Sequence, residues 1–230
     1  MLASSGGSPS FIQSISAGCG PVGAVVMIDP AGRQMCRKRA KRQAIIAIAQ
    51  DAFLDGGFAA TAMSHISTAL GGSKSTLWSY FPSKEALFSA VIEDISQKLL
   101  RGIHAELYGA DDLKLTLSNF CRTFIVKLIS EKAVATWRLV VSESGRFPIV
   151  AQVFHQHVVM EVELELTRYF AKHIALGHLR DEDPGKMANF LIDLCTSVRN
   201  RCLLNPASPS TKDAREASNS IIIYFFRVFG

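Results

Sequence analysis

Long apolar runs are missing from this 230-residue chain. Nothing approaches the roughly 18 consecutive apolar residues that a membrane-spanning helix needs, so a transmembrane span is excluded. The apolar stretch from Val22 to Ile28 is short and follows no Lys or Arg, which makes it a poor signal peptide. Cysteine is scarce. Cys19, Cys36, Cys121, Cys195 and Cys202 are odd in number and never spaced C-x-x-C, so neither a disulfide framework nor a structural zinc site is expected. Cys195 and Cys202 share a helix face and read as small core hydrophobes. This usage points to a reducing compartment, the cytoplasm. The patterns G-x-S-x-G and H-E-x-x-H are also absent, and catalysis has little support.

Two features imitate chemistry without meeting its requirements. The segment Gly71-Gly-Ser-Lys-Ser-Thr76 looks like a phosphate loop, but that loop needs Gly directly before the Lys, a second Gly five residues earlier and a preceding strand. Ser73 and Thr68 hold those positions and a helical pattern precedes. His155, His157, Glu161, Glu163 and Glu165 come from one segment, whereas a metal enzyme wants ligands converging from several. They read as a solvated or interface helix face. No metal and no cofactor are expected.

Hydrophobic residues make up 48% and charged residues 20%, a globular composition. The net charge of +5 is unevenly placed. Arg33, Arg37, Lys38, Arg39, Lys41 and Arg42 lie close together, and no acid follows until Asp51. Setting these aside leaves 19 of the 25 Lys and Arg against 20 acids, so one end of a nearly neutral protein carries a handle for a polyanion.

Residues 1–34 are rich in Gly, Ser and Ala, with Pro9, Pro21 and Pro30 breaking any helix. They read as a flexible arm or a start-site artefact, since Met27 and Met35 each offer a later start. From Arg37 the pattern is helical. Ile45, Ile48, Ala49, Ala52 and Phe53 form one stripe, stopped by Gly56 and Gly57. Thr61 is expected to cap a short helix that turns Met63, Ile66 and Leu70 inward. Gly71 and Gly72 break it, a helix from Ser73 to Phe81 follows, and Pro82 ends that one. Ser83 caps a long fourth helix carrying Leu87, Val91, Ile95 and Leu99. Five more are expected at 112–131, 133–143, 149–176, 184–204 and 211–229, with breaks at Gly145 to Pro148, Gly177, Pro184 and Pro206 to Pro209. The fold class is all-α. Residues 35–83 would be a helix-turn-helix domain and 84–230 a helical ligand-binding and dimerisation domain.

Short helix, Gly turn and second short helix after a basic helix make a helix-turn-helix. The turn needs a position that tolerates positive φ, which Gly71 or Gly72 supplies. The second helix must present its N-terminal residues to base edges in the major groove. The run Ile66-Ser-Thr-Ala-Leu-Gly-Gly-Ser-Lys-Ser-Thr-Leu-Trp-Ser-Tyr-Phe-Pro-Ser-Lys-Glu-Ala-Leu-Phe88 closely resembles the DNA-binding domain of the TetR (tetracycline-repressor-like) family. The preceding Ala52-Phe-Leu-Asp-Gly-Gly-Phe-Ala-Ala-Thr61 fits that family's first helix and its exit, and the match covers about residues 37–88.

The resemblance implies that Lys74, Ser75, Thr76, Trp78, Ser79 and Tyr80 face double-stranded DNA, and that Lys84 and Thr61 meet phosphate. Leu77 and Phe81 lie on the opposite side and belong to the core. Arg37, Lys38 and Lys41 would touch flanking phosphates, adding affinity and salt dependence without sequence information. Ser75 stands for a common Gly, Trp78 for a common Tyr, and Gly72 for a usual Val that packs between the helices. Ser64 stands where many relatives place a basic residue.

Residues 102–230 hold 15 Lys or Arg and 14 acids and so offer no polyanion handle. In the resembled family this region binds a small molecule and dimerises through its last two long helices. Here Phe190, Leu194 and Val198 on the first of these, with Ala217, Ile221 and Phe225 on the second, would pair across a two-fold axis. Phe120, Phe124, Leu128, Trp137, Val141, Phe154 and Phe170 are the candidate pocket lining, which suits an apolar effector. The resemblance thus implies a homodimeric repressor released from a pseudopalindromic operator by a small molecule. Two rivals stay open: a ligand-binding or interaction protein whose helix-turn-helix no longer reads DNA, and an α-helical enzyme.

Overall fold

A computed structural model describes residues 30–71, 73–109, 112–204 and 211–230, and every regular element among them is helical. The expected arm before Pro30, the space opened by Gly72, the loop around Pro206 to Pro209 and the side chain of Cys202 lie outside the described residues. The chain divides into two compact units, Met1–Arg37 and Lys38–Gly230. The described part of the first is the opening of α1 (Pro30–Ala60), where Arg33 and Arg37 are exposed. Pro30 does not break the helix as expected; it begins it. A proline in the first helical position loses no hydrogen bond, and its fixed φ already suits the helix.

In the second unit α1 continues to Gly57, whose φ of 80° and ψ of 165° leave the helical region. Then follow α2 (Met63–Ala69), α3 (Lys74–Tyr80), α4 (Lys84–Leu107), α5 (Leu113–Leu128) and α6 (Glu131–Ser144). The expected helix over 149–176 is three consecutive pieces: α7 (Pro148–Phe154), a π-helical turn (His155–Val159) and α8 (Met160–Ala175). It ends at Gly177, where φ is 72°. The last two helices are α9 (Pro184–Leu204) and α10 (Thr211–Phe229).

The helix starts follow from short polar side chains. Ser73, Ser83, Asp112 and Ser130 each accept a hydrogen bond from the backbone amide three residues on, satisfying a donor the helix leaves open. α2 differs from expectation. Its N-cap is Ala62, with no side-chain cap, because the Thr61 hydroxyl turns inward to protein carbonyls.

Two apolar cores form, and α4 contributes to both. One gathers Ile45, Phe53, Phe58, Ile66, Leu77, Phe81 and Phe88 of the helix-turn-helix region with Leu139 and Val140 of α6 and Val150, Val153 and Phe154 of α7. The other joins the end of α4 to α5, α8, α9 and α10. Cys121 and Cys195 meet in that second core, and burial pushes the Cys121 thiol well up from its ordinary pKa. No helix among the described residues is long and apolar enough to cross a membrane.

Candidate nucleic-acid interface and ligand cavity

Between α2 and α3 the chain turns at Gly71, where φ is 67° and nothing lies within 4 Å of where a Cβ would be. The positive φ falls in the left-handed region that glycine enters without steric cost. Ser73 then caps α3: its Oγ accepts from the Thr76 amide and lies 2.8 Å from the Ser75 hydroxyl and 2.9 Å from that of Thr76. One face of α3 is fixed inside by Leu77, with Phe81 just beyond, and both are buried. The other face is open. Lys74, Ser75, Trp78 and Ser79 are exposed, Trp78 to 47%, while Thr76 and Tyr80 are half-buried. The Trp78 indole is thus only partly covered, and no acid stands in the first turn of α3 to repel phosphate. Lys38, Arg39 and Lys41 are exposed on α1, and the Arg42 guanidinium lies 5.3 Å over the ring of Phe81.

Two expected phosphate contacts serve the protein itself. Thr61 is 4% exposed, and its hydroxyl is directed to the carbonyls of Gly57 (2.7 Å) and Ala52 (3.0 Å). The Lys84 ammonium donates to the carbonyls of Phe58 (2.8 Å) and Ala59 (3.2 Å) and lies 4.5 Å over the Phe58 ring. Both tie down the turn after Gly57, where the backbone leaves helical geometry and its carbonyls need donors. Glu143 of α6 completes this arrangement by accepting from the Ala59 amide at 3.1 Å.

A cavity of about 520 Å³ opens between α4, α5, α6, the π-helical turn, α8 and α9, with Gln50 of α1 also on its wall. Phe124, Leu128, Trp137 and Phe154 line it as expected from the sequence. The other three candidates do not. Phe120 and Phe170 are fully packed in the neighbouring core, where Phe170 stacks on Phe225. Val141 is 55% exposed beside Leu54 and Arg138, on the outer surface of α6. Val141 stands one turn beyond Trp137, about 6 Å further along the axis, where the helix has passed the cavity.

The wall is not apolar throughout, which corrects the expected lining. Lys98, Lys127, Lys132, Asp193 and Arg199 contribute to it, with Thr136 and Thr196. Lys98 pairs with Asp94 at 2.6 Å and Lys132 with Asp51 at 3.4 Å. Burial would raise the Asp94 pKa, but hydrogen bonds from Lys98 and Gln43 and the charges of Lys98 and Arg101 outweigh it and hold the carboxyl below its ordinary value. Arg199 is 8% exposed and its guanidinium lies 4.0 Å over the Trp137 ring. The sequence held a signal for it: Ile192, Thr196 and Arg199 follow helical spacing, and all three line the cavity.

Of the candidate dimer contacts, Val198, Ile221 and Phe225 are buried within the chain's own core and are not available to a partner. α10 packs on both α5 and α9, so its most apolar stripe is consumed internally. Phe190, Leu194 and Ala217 are half-buried, and Ile223, Tyr224 and Val228 of α10 point outward.

The histidines and acids near the π-helical turn have separate tasks. The His157 ring lies 3.3 Å from the Ser89 hydroxyl of α4, and Ser96 of α4 donates to the His157 carbonyl. Glu163 accepts from Asn189 at 2.9 Å, and Glu165 lies 3.9 Å from Arg168. Further along α8, the Tyr169 ring meets Tyr108 edge-on and lies tilted against His173, and the Nδ1 atoms of His173 and His178 are 3.0 Å apart. Burial pushes the Tyr169 hydroxyl up to about 12. Burial, then the charges of His178 and Lys172, lowers the pKa of His173.

Known proteins share this organisation. Residues 45–91 match the bacterial regulatory proteins of the tetR family, and residues 115–230 match the C-terminal domain of AefR-like transcriptional repressors. The HTH-type transcriptional regulator RutR of Escherichia coli K12 is 40% identical over 68 residues, covering 30% of this chain and 32% of RutR. The chain thus matches about a third of the length of that curated relative. A TetR-family transcriptional regulator from Mesorhizobium loti superimposes with a TM-score of 0.76 at 24% identity, over 84% of this chain and 98% of that one. The flavonoid-responsive regulator FrrA does so with a TM-score of 0.70 at 29% identity, over 83% and 97%.

Proposed function

The chain belongs to the TetR family of bacterial regulatory proteins, and on that premise we propose that it is a sequence-specific DNA-binding repressor released by a small-molecule effector. The observation that carries this reading is the division of α3 into two faces. Leu77 and Phe81 anchor it in the core while Lys74, Ser75, Trp78 and Ser79 project outward on a rigid support. Such a helix suits base edges in the major groove, with exposed Lys38 and Lys41 on flanking phosphates. RutR is an HTH-type transcriptional regulator, which supports the DNA half of the reading. FrrA is flavonoid-responsive, which supports the effector half. No catalytic step belongs to it.

The working unit is a homodimer joined through α9 and α10, using the outward residues Tyr224 and Val228 with the half-buried Phe190 and Leu194. Two-fold symmetry then places two copies of α3 about one DNA turn apart and calls for a pseudopalindromic operator. The effector acts through α4. Ile95, Lys98 and Leu99 of that helix line the cavity, and its first residue, Lys84, follows α3 after three residues. A ligand that fits the cavity better when α4 is displaced shifts the population away from the DNA-competent spacing, by no more than its difference in affinity for the two states.

The test is capture of fragmented genomic DNA by the purified protein, followed by titration of the best fragment at several salt concentrations. A Lys74→Ala/Tyr80→Ala variant serves as control. Enrichment of one pseudopalindrome that the variant loses is the expected outcome. Weak, sequence-blind binding that is equal in both proteins would leave the helix-turn-helix as a scaffold and defeat the proposal.

A further inference from the structure

We propose that Gln43 is a positioning residue for operator binding: its bond to Asp94 braces the basic stretch of α1 against α4. This rests on the DNA half of the reading above and adds to it a residue that acts through its neighbours. Every side chain from Lys38 to Ala44 is exposed, and the buried stripe of α1 starts only at Ile45. The apolar core therefore does not hold the segment that carries Lys38 and Lys41. Polar contacts at its end do. The Arg42 guanidinium lies 5.3 Å over the ring of Phe81, the residue that follows α3. Gln43 Nε2 donates to Asp94 Oδ1 across 2.8 Å, joining positions 51 residues apart in the chain. The first contact registers α1 on the reading helix and the second registers it on α4.

The acceptor suits the task. Its other oxygen, Oδ2, lies 2.6 Å from Lys98 Nζ, and only 15% of the Asp94 side chain is exposed. Water therefore competes little there, and a hydrogen bond to an ionised acceptor is among the stronger kinds. Lys98 also answers a charge that would otherwise repel phosphate beside a DNA-contacting helix. At the other end a neutral amide gives direction without altering the basic field of its neighbours. The same stretch of α4 carries Ile95, Lys98 and Leu99, which line the cavity. With the brace in place, a displacement of α4 reaches Lys38 and Lys41 directly and not only by way of α3.

Reversing the bond tests the brace. Gln43→Glu/Asp94→Asn exchanges donor and acceptor and keeps the parent's net charge, whereas Gln43→Ala/Asp94→Asn leaves no bond and carries one fewer negative charge. Affinity for the captured operator is measured by titrating labelled DNA, with a melting curve for each variant. Gln43→Ala is expected to weaken operator binding about two- to ten-fold, the worth of one such hydrogen bond. Gln43→Glu should weaken it at least as much, because two carboxylates then face each other. The reversed pair should bind like the parent, while Gln43→Ala/Asp94→Asn stays weak despite its more positive charge. Tightest binding by that second double variant, with affinity simply tracking charge, overturns the proposal, as does parent-like binding by Gln43→Ala. Melting temperatures that fall in step with affinity also overturn it, leaving Gln43 a merely structural role. A parent protein that captures no operator defeats this inference together with the reading it rests on.

Discussion

Gly57 holds a backbone conformation, φ 80° and ψ 165°, that is nearly closed to residues with a Cβ. A Cβ there would also lie 2.7 Å from Glu143 Oε1, the atom that accepts from Ala59. Gly57→Ala should therefore destabilise the fold by about 1–3 kcal/mol from backbone strain, lowering the melting temperature by several degrees. Gly57→Ala/Glu143→Ala relieves the collision but not the strain and should recover only part of the loss. His173 makes a different prediction, in pH. Its folded pKa lies below the unfolded value near 6.5, so the unfolded chain takes up the proton first as pH falls. The stability linked to neutral His173 is complete above about 6.5 and is lost as pH drops from there through the lowered folded value. With its ring neutral, His173 can also accept a hydrogen bond at Nδ1 from the His178 ring 3.0 Å away, which its imidazolium form cannot do. Melting curves from pH 7 to 5 should fall less steeply for His173→Gln than for the parent. Parallel curves would assign the acid sensitivity elsewhere.

Among the elements, those with chemical punctuation were legible beforehand. Ser73 and Ser83 cap where a hydroxyl precedes a helix, and Gly71 turns where positive φ is needed. Leu77 and Phe81 are buried as the face of α3 required. Thr61 misled because a threonine before a helix has two uses, and the carbonyls freed at Gly57 took the hydroxyl. The π-helical turn over His155–Val159 had no local signal, since it is set by what it touches. Its Val158 and Val159 line the cavity while its His157 bonds to Ser89 and Ser96 of α4. A π-turn is thus clasped between the cavity and the helix that follows the DNA reader. Ser96→Ala leaves the His157 carbonyl short of a buried donor and should cost about 1–3 kcal/mol. It should also weaken the effect of a bound ligand on operator affinity, read by titrating DNA with and without ligand.

For the molecule as a whole, the charge asymmetry seen in the sequence becomes an exposed basic helical surface. Lys38→Gln/Lys41→Gln should lower operator affinity and reduce the slope of log affinity against log salt by about 0.9 per lost phosphate contact. Its preference among operator variants should stay unchanged, whereas Lys74→Ala should alter that preference. The cavity was legible only in part. Phe124, Leu128, Trp137 and Phe154 lie on stripes that any helical packing turns inward, but Phe120 and Phe170 lie on such stripes too. Which residue lines a void and which fills the core depends on how five helices are mutually rotated, and no single stripe records that. The same long-range assembly gives Phe58 three aromatic neighbours, Phe53, Phe88 and Phe147, in a core that includes Val150 and Phe154. The reading head is therefore not an interchangeable cartridge. A chimera that fuses residues 35–83 to an unrelated regulator would inherit half a hydrophobic core and become productive only with a matching α6–α7 surface, so new specificities are better installed by rewriting the outward face of α3 in place.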